Sequence, residues 1–447
     1  MLAIVVSRAD RASEHICEHL LELEAWRESE DGRRPDAEGG GTVYRTDGAE
    51  LRTFDAIHLE LERVGEAFDD PDLLAFASRH AGETGPLLTT HHTGNFGPAE
   101  FGGADGRLAR ACPNAHREVI AALREYAPEG YDVGMECTHH GPSEVGVPSL
   151  FVEVGSGEQE WDDPEAARAV ARAILDLRDV PADASRENDT RRHLVGFGGG
   201  HYAPRFERVL GETDWRVGHV AADWCLDAMG DPGENRAVLE RAFTESAADI
   251  ALLEDDRPDL RETVESMGYR VVGETFVHET SGVPLGLVER VEDEICPVAD
   301  GLRFGKRARG YNGEFAVRSL PSALLAEANG IDPEATREEI AARTVAFDTD
   351  HGGTQVAERV AVREPDDRAE IIEVLADVLR RSYDSVEIGA AEIVARETAF
   401  DPELASERGV PEGPKFGRLA AGDPVEVDGD VIDPAEVRTE RERRFER

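Results

Sequence analysis

Residues 131–142 have the sequence Tyr-Asp-Val-Gly-Met-Glu-Cys-Thr-His-His-Gly-Pro, in which an apolar run ends in a carboxylate, a thiol, a hydroxyl and two imidazoles. The run predicts a β-strand, and the Gly-Pro pair predicts a turn after it. Two more apolar segments lead into histidine clusters of the same kind, at residues 89–95 and 198–204. Because functional side chains concentrate on the loops that follow strands, we expect the three clusters to meet at one edge of a sheet.

The order of the predicted elements indicates an α/β fold. A strand-like run at residues 2–7 precedes an amphipathic pattern at residues 10–24, and strand and helix patterns alternate to about residue 275. Such alternation is typical of a sheet covered by helices on both faces. We expect residues 276–318 to be a linker without clear periodicity. Residues 319–438 then form a small α+β domain of unknown role, and the charged tail 439–447 frays.

The charge of the chain indicates its solvent. Asp and Glu number 94 against 49 Lys and Arg, which gives a net charge of −45. A folded protein this acidic repels itself unless concentrated salt screens the charges, so we infer the cytosol of an extreme halophile. A disordered acidic chain is a poor alternative because 40% of the residues are hydrophobic. Since the acidity is a solvent adaptation, it does not exclude an RNA partner.

Cysteine usage and the N-terminus favour a reducing compartment. The five cysteines include no CxxC pair, so neither a disulfide framework nor a zinc ribbon is indicated. The N-terminus lacks the pattern of a secretory signal, and no apolar run is long enough to cross a membrane. We expect a cytoplasmic chain with no membrane partner.

The histidine clusters predict a metal or acid/base site. Neutral imidazole is the commonest zinc ligand, and a catalytic zinc needs about three protein ligands plus water. His91 and His201, with either His139 or His140, would supply three. Neighbouring side chains on an extended backbone point to opposite sides, so His139 and His140 bind one metal together only if the chain turns there. Glu136 or Glu153 would act as the base on a metal-bound water, or would orient one of the imidazole ligands.

Each cluster also has a simpler interpretation. Histidines at strand ends can satisfy loop backbone groups, and a histidine-activated water without metal remains open as the catalyst. Gly198, Gly199 and Gly200 could cradle an anion or only form a tight turn. Thr93 and Asn95 could contact substrate or cap a turn. Cys137 could be a nucleophile, but no other feature of the sequence supports that role. Five further histidines have no such setting and are assigned no functional role, namely His58, His80, His219, His278 and His351.

Five motifs in the first part of the chain resemble the archaeal and plant type of D-aminoacyl-tRNA deacylase. They span most of residues 1–275, in the order in which that family has them, and the likeness does not extend to the second domain. The motifs are Ala77 to His80, Thr90 to Asn95, Glu136 to Pro142, Phe151 to Ser156 and Gly198 to Pro204.

The resemblance implies a zinc-dependent hydrolase that frees tRNA of D-amino acids, with a mixed α/β sheet similar to that of peptidyl-tRNA hydrolases. D-aminoacyl-tRNA is then the substrate, and monomer or homodimer stays open. The expected catalytic residues are Glu136, Thr138, His139, His140 and Glu153; the expected metal ligands are His91, His139, His140 and His201; and the expected substrate contacts are Thr93, Asn95, Gly199, Gly200 and Tyr202. The hydroxyls of Thr138 and Thr93 and the N–H groups of the glycine loop would stabilise the oxyanion. Two alternatives use the same groups: a metal-dependent amidohydrolase of small D-amino-acid substrates, and a non-catalytic tRNA-binding protein.

Overall fold

The structure is a computed structural model that describes residues 1–187 and 190–447. The chain divides into two compact units, Met1–Ser281 and Gly282–Arg447. Within the described residues, every helix is too short or too polar to cross a membrane.

The first unit contains twelve strands and nine α-helices among its described residues. In chain order they are β1 (Leu2–Ser7), α1 (Arg11–Leu23), β2 (Arg27–Asp31), β3 (Gly41–Thr46), β4 (Ala49–Phe54), β5 (Leu73–Arg79), β6 (Leu87–His91), α2 (Pro113–Tyr126), β7 (Asp132–Met135), β8 (Ser149–Gly155), α3 (Glu158–Trp161), α4 (Pro164–Leu175), β9 (His193–Phe197), α5 (Pro204–Glu212), β10 (Arg216–Ala221), α6 (Asp223–Met229), α7 (Arg236–Ser246), β11 (Ile250–Leu253), α8 (Pro258–Ser266), β12 (Arg270–Val272) and α9 (Glu274–Glu279).

An eight-stranded mixed sheet forms the centre of this unit, in the order β2-β3-β4-β1-β5-β8-β6-β7. Strand β1 is buried along its whole length and pairs in parallel with both β4 and β5. Helix α1 follows it because Asp10 caps the helix, accepting hydrogen bonds from the N–H groups of Ala12 and Ser13. Helices α1, α2 and α4 share a buried core with the strands. A second core surrounds the stacked rings of Phe76 and Phe151, and apolar side chains of residues 64–68 pack into it.

A smaller sheet of four parallel strands, in the order β10-β9-β11-β12, completes the first unit. Sequence periodicity predicts these strands but not that they form a sheet of their own. The mixed α/β class with flanking helices is confirmed. The first unit extends to Ser281, beyond the predicted residue 275, because Thr280 accepts a hydrogen bond from the buried indole of Trp215 at 3.0 Å.

The second unit is α+β and contains six α-helices and nine strands. They are α10 (Leu285–Glu294), β13 (Arg303–Phe304), β14 (Ala316–Ser319), α11 (Ser322–Ile331), α12 (Pro333–Arg343), β15 (Ala346–Asp350), β16 (Gln355–Val362), α13 (Asp367–Leu379), β17 (Ser385–Ile388), β18 (Glu392–Phe400), α14 (Pro402–Glu407), α15 (Pro414–Ala421), β19 (Val425–Val427), β20 (Asp430–Ile432) and β21 (Arg438–Glu446). Its sheets have the orders β13-β15-β16-β14, β17-β18-β21 and β19-β20.

Two segments of the second unit differ from the sequence expectation. Residues 276–318 are not a plain linker, because α10 lies within them and buries Leu287, Val288 and Val291. The charged tail does not fray. As β21 it pairs with β18 from Phe400↔Arg438 to Glu392↔Glu446, and it buries the ring of Phe445.

Candidate active site

The three histidine clusters meet, as the sequence predicts, but they come from two sheets. His91 ends β6, and the segment 136–140 follows the neighbouring parallel strand β7. A parallel bridge joins Thr93 to His139. The third cluster follows β9 of the smaller sheet, and the N–H of Cys137 donates to the carbonyl of His201 at 2.8 Å. The expected single sheet edge is therefore a junction between two sheets.

Three imidazoles at this junction present the same ring nitrogen. We call His91, His139 and His140 the site histidines. Their Nδ1–H groups donate to the backbone carbonyls of His92 at 3.0 Å, Cys137 at 2.9 Å and Gly141 at 2.7 Å. Because a carbonyl only accepts, the Nδ1 atom carries the proton and Nε2 is left as a lone-pair donor. Backbone bonds of this kind orient imidazoles for a metal.

Both adjacent histidines take part because the chain turns between them. The φ angle of His140 is +44°, in the left-handed region, so its ring returns to the side of His139. The ring centroids of His91 lie 4.2 Å from His139 and 4.8 Å from His140. The chain therefore turns between His139 and His140, as it must if both are to bind one metal ion.

The site histidines suit a zinc ion. Each offers one ring nitrogen, and the three atoms lie within 4.8 Å of one another. Burial holds the pKa of His139 well below its usual value and lowers that of His140 to about 4, so both rings are neutral. Burial also opposes the charged form of His91, but contact with Glu153 outweighs it and raises the pKa. His201, an expected ligand, instead groups with Cys137 and His139.

Glu136 is the central acid of the junction. Its Oε2 atom accepts a hydrogen bond from His201 Nε2 at 2.7 Å and lies 3.7 Å from His139 Nε2. Its Oε1 atom is 3.1 Å from Nδ1 of His80. Burial would raise the pKa of Glu136, but the bonds from His201 and His80 outweigh it and hold the pKa well below its usual value. Glu136 is therefore a buried carboxylate surrounded by imidazoles.

His201 carries the opposite charge at the opening of the site. Hydrogen bonds with the Cys137 thiol and with Glu136 raise the pKa of His201 to about 9, so the ring is protonated near neutral pH. Its side chain is 34% exposed, compared with 17% for His139. His201 can therefore pass a proton between Glu136 and a bound molecule.

Glu153 and His80 complete the group of acids and imidazoles. Glu153 Oε1 lies 3.8 Å from His91 Nε2, and Glu153 Oε2 lies 3.7 Å from His80 Nδ1. Burial would raise the pKa of Glu153, but His80 and His91 outweigh it and lower the pKa. Burial likewise opposes the charged form of His80, yet the two carboxylates raise its pKa to about 11.

His80 lies in the site, although the sequence pattern around it predicts no functional role. Its Nε2 atom is 2.9 Å from the hydroxyl of Tyr202, so this expected substrate contact positions His80. Gly155 makes room for the ring, since a Cβ there would lie 2.7 Å from Cβ of His80. The missed signal was local: His80 follows the apolar strand β5 just as His91 ends β6.

The two threonines expected to stabilise an oxyanion have different surroundings. The Thr138 hydroxyl donates to His219 Nδ1 at 3.0 Å and accepts from the N–H of Val220 at 3.1 Å. Because its O–H is already donated to His219, the hydroxyl has no proton left to donate to an oxyanion, which does not support the expected catalytic role. The Thr93 hydroxyl is buried, and none of the described residues offers it a hydrogen bond. Asn95 donates to the carbonyl of Gly102 at 3.0 Å and so braces the loop 94–106.

The glycine loop is built around one carboxylate. Gly199 has a φ angle of +83°, which strains other residues, and a Cβ there would lie 2.2 Å from Oε2 of Glu254 and displace that carboxylate. Its carbonyl accepts the N–H of Asp223 at 2.9 Å. Gly200 is exposed beside it. The turn interpretation therefore explains Gly199, and the expected substrate contacts of Gly199 and Gly200 stay predictions.

A second histidine group lies behind the site. We call His92, His116 and His219 the core histidines, and all three are fully buried. His92 Nδ1–H donates to the carbonyl of Gly218 at 3.1 Å, and its Nε2 accepts the N–H of Cys112 at 3.2 Å. Burial holds the pKa of His92 well below its usual value and lowers those of His116 and His219 to about 4. His219 is thus structural and supports Thr138.

Cys137 has the environment of a protonated thiol. A hydrogen bond with Cys225 and burial both raise its pKa. A nucleophilic thiolate needs the pKa lowered, so this setting speaks against cysteine catalysis. All five cysteines are free.

Comparison with known proteins shows the family to which the chain is similar. A sequence model described as D-aminoacyl-tRNA deacylase matches residues 67–272. The D-aminoacyl-tRNA deacylase of Haloarcula marismortui is 59% identical over the full length of both chains. That of Methanoregula boonei is 32% identical over 99% of this chain and 98% of its own. The likeness thus extends over the second unit, which the sequence motifs do not cover.

One solved structure also matches. The crystal structure of a conserved protein of unknown function, AF0625, is 30% identical with a TM-score of 0.54, and the match covers 63% of this chain and 98% of that one. Relatives this similar over their whole length share a family as well as a fold. The chain belongs to the D-aminoacyl-tRNA deacylase family.

Proposed function

We propose that this chain hydrolyses the ester between a D-aminoacyl group and the terminal ribose of tRNA, in the cytoplasm, and releases the free D-amino acid. Its relatives are named for this activity. The observation that carries the proposal is the convergence of three histidines, each with its Nδ1–H on a backbone carbonyl and each offering a ring nitrogen within 4.8 Å of the other two. Two of them, His91 and His139, have Nε2 beside the carboxylates of Glu153 and Glu136.

We further propose that zinc is the cofactor and that His91, His139 and His140 hold it. The buried Nε2 of His91 supports this, because no described residue offers it a hydrogen bond and a metal would satisfy it. When bound there, zinc supplies a Lewis acid beside the ester carbonyl. His201 is left out of the ligand set because Glu136 holds its Nε2 atom.

The protein's own groups move the protons. Water attacks the ester carbonyl carbon, and Glu136, which is bonded to His201, accepts the proton that water loses. The bond to the ribose oxygen then breaks, and protonated His201 donates to that oxygen. Glu136, 2.7 Å from His201 Nε2, returns the proton to the imidazole, so the site ends as it began. The unpartnered hydroxyl of Thr93 is available to the oxyanion.

The test compares D-tyrosyl-tRNA and L-tyrosyl-tRNA side by side in molar KCl, before and after chelation and with zinc added back. We expect rapid release from the D ester alone, lost on chelation and restored by zinc. Release that survives chelation would remove zinc and keep the deacylase. No release from either ester would overturn the proposal.

Two alternative functions give different results in the same assay. An amidohydrolase of small D-amino-acid substrates would cleave D-tyrosine amide without tRNA. A non-catalytic binder would retain tRNA after chelation and release no amino acid. The buried carboxylates and imidazoles favour catalysis, because binding alone does not require ionisable groups held out of water.

A further inference from the structure

Large apolar side chains are rarely exposed in the described part of the chain. The three that are well exposed are Phe101 at 67%, Trp224 at 49% and Val431 at 68%. Two of them, Phe101 and Trp224, border the active site. Exposed aromatic rings next to a functional site are typical of binding surfaces.

Trp224 is directly adjacent to His201. The two rings are nearly parallel, with an angle of 25° and a centroid separation of 6.5 Å. His201 is itself bonded to Glu136. The indole therefore lies one side chain away from the groups that act on the ester.

The backbone around Trp224 is fixed to the site on both sides. The N–H of the preceding residue, Asp223, donates to the carbonyl of Gly199 at 2.9 Å. The thiol of the following residue, Cys225, contacts the carbonyl of Thr138 at 3.7 Å. These contacts fix the chain on either side of Trp224, which lies in the first turn of α6, so its exposure is not the result of a loose loop.

Phe101 lies on the loop 94–106, on another part of the rim. Its carbonyl accepts the N–H of Gly141, next to His140, at 2.9 Å. Asn95 holds the carbonyl of Gly102. The loop is thus bonded to the turn that carries two site histidines, and it carries a second exposed aromatic residue.

We propose that Trp224 is the stacking platform for the terminal nucleobase of the tRNA acceptor end. This inference rests on the proposed function. The scissile ester and the terminal base are carried by the same ribose, so an ester placed at the site histidines brings the base within a sugar ring's width of them. The indole of Trp224, 49% exposed and nearly parallel to the ring of His201, is an open flat surface at that distance.

The charge of the chain makes stacking a suitable source of affinity. A net charge of −45 repels the phosphates of tRNA, and concentrated salt weakens the attraction that individual arginines give. Stacking of a base on an aromatic ring does not depend on opposite charges, and every base has a face that can stack. An acidic protein in high salt can therefore hold the acceptor end through an aromatic ring.

The kinetic test compares two esters. We expect Trp224→Ala to lower kcat/KM for D-tyrosyl-tRNA about 10-fold or more, mainly through KM, relative to its effect on D-tyrosine methyl ester, which has no base. Trp224→Phe should recover most of the loss, because a smaller aromatic ring still stacks. Val431→Ala is the control, since Val431 is also an exposed apolar side chain but belongs to the second unit. Equal losses on both esters for Trp224→Ala would overturn the proposal.

The binding test does not require turnover. A short acceptor-stem RNA with 2-aminopurine as its last base is titrated with the protein in molar KCl, and its fluorescence should be quenched by the wild type and Val431→Ala but not by Trp224→Ala. Equal quenching by all three proteins, or none by the wild type, would contradict the platform. Quenching without hydrolysis of D-tyrosyl-tRNA would keep the platform and refute the proposed function. Hydrolysis that Trp224→Ala does not change would keep the proposed function and refute the platform.

Discussion

His91 and His92 are neighbours in the chain, yet their rings belong to groups with opposite bonding. In the site histidines, Nδ1–H is bonded to a backbone carbonyl, and one ring nitrogen of each lies within 4.8 Å of those of the other two. In His92 and His219 both ring nitrogens are bonded within the protein. Histidine content alone therefore does not locate a reaction centre. Ring nitrogens of three histidines that converge within 4.8 Å of one another do.

Replacing a site histidine should have the largest effect on catalysis. We expect His140→Ala to lower kcat/KM for D-tyrosyl-tRNA by about 1,000-fold, because it removes a proposed zinc ligand beside the reacting ester. Zinc content, measured on the same sample, should fall with activity. Circular dichroism should remain that of the wild type. An active His140→Ala protein would assign the reaction to other residues.

Neutralising the central acid should have the next largest effect. Glu136→Gln keeps the shape of the side chain but loses the proton acceptor, so we expect kcat to fall about 100-fold. Without the carboxylate, the pKa of His201 should drop from about 9 towards its ordinary value. NMR titration of the His201 ring measures this drop. An unchanged His201 titration would show that Glu136 does not hold its charge.

Replacing a core histidine should reduce stability rather than catalysis. His92→Ala leaves the carbonyl of Gly218 and the N–H of Cys112 buried without their partner, and it opens a cavity. We expect the free energy of unfolding to fall by about 3 kcal/mol, measured by denaturant titration in molar KCl. Turnover per folded molecule should change less than 10-fold. A stable protein without activity would place His92 in the site.

The two histidine environments should also differ in their response to pH. The pKa values of the core histidines His116 and His219 are lowered to about 4 in the folded chain. Between about pH 6.5 and 4 the unfolded chain binds protons that the folded chain does not. Lowering the pH across this range therefore reduces the free energy of unfolding by up to about 1.4 kcal/mol per pH unit for each histidine. His80 behaves oppositely, because its pKa is raised to about 11. Its contribution is complete below about pH 6.5 and is lost as the pH rises.

Denaturant titration of the chelated protein from about pH 4 to about pH 11 checks both directions. Equal stability at about pH 7 and 5 would show that the core histidines accept protons in the folded state.

The smallest effects should separate the two threonines. Thr138→Val removes a hydroxyl with two partners, so we expect a loss of about 2 kcal/mol in unfolding free energy. Thr93→Val removes a hydroxyl without a partner among the described residues, and stability should stay within about 0.5 kcal/mol. Only Thr93→Val should lower kcat directly, by about 10-fold. Equal stability losses would mean that Thr93 is also bonded in solution.

The sequence predicted the parts of the site that depend on local patterns. Apolar runs followed by histidine located the ends of β6, β7 and β9, and Gly141-Pro142 indicated the turn that brings His139 and His140 together. These signals lie within a few residues of the side chains they position. The α/β class follows from the same periodicity.

The remaining features depend on contacts between distant segments. Thr138 adjoins His139 in the chain, but its hydroxyl faces His219, which is 81 residues away. The tail pairs with β18 although nearly all of its residues are charged, because Arg444 bonds Glu392 across the strands and Phe445 alone is buried. Neither pairing leaves a periodic signal in the sequence.

The most direct measurement assays His139→Ala and His92→Ala together against D-tyrosyl-tRNA, at equal concentrations of folded protein in molar KCl with zinc. The account predicts that His139→Ala is folded and inactive, while His92→Ala is less stable but hydrolyses the ester at a rate near that of the wild type. An active His139→Ala protein, or a folded and inactive His92→Ala protein, would contradict the division between the two histidine groups.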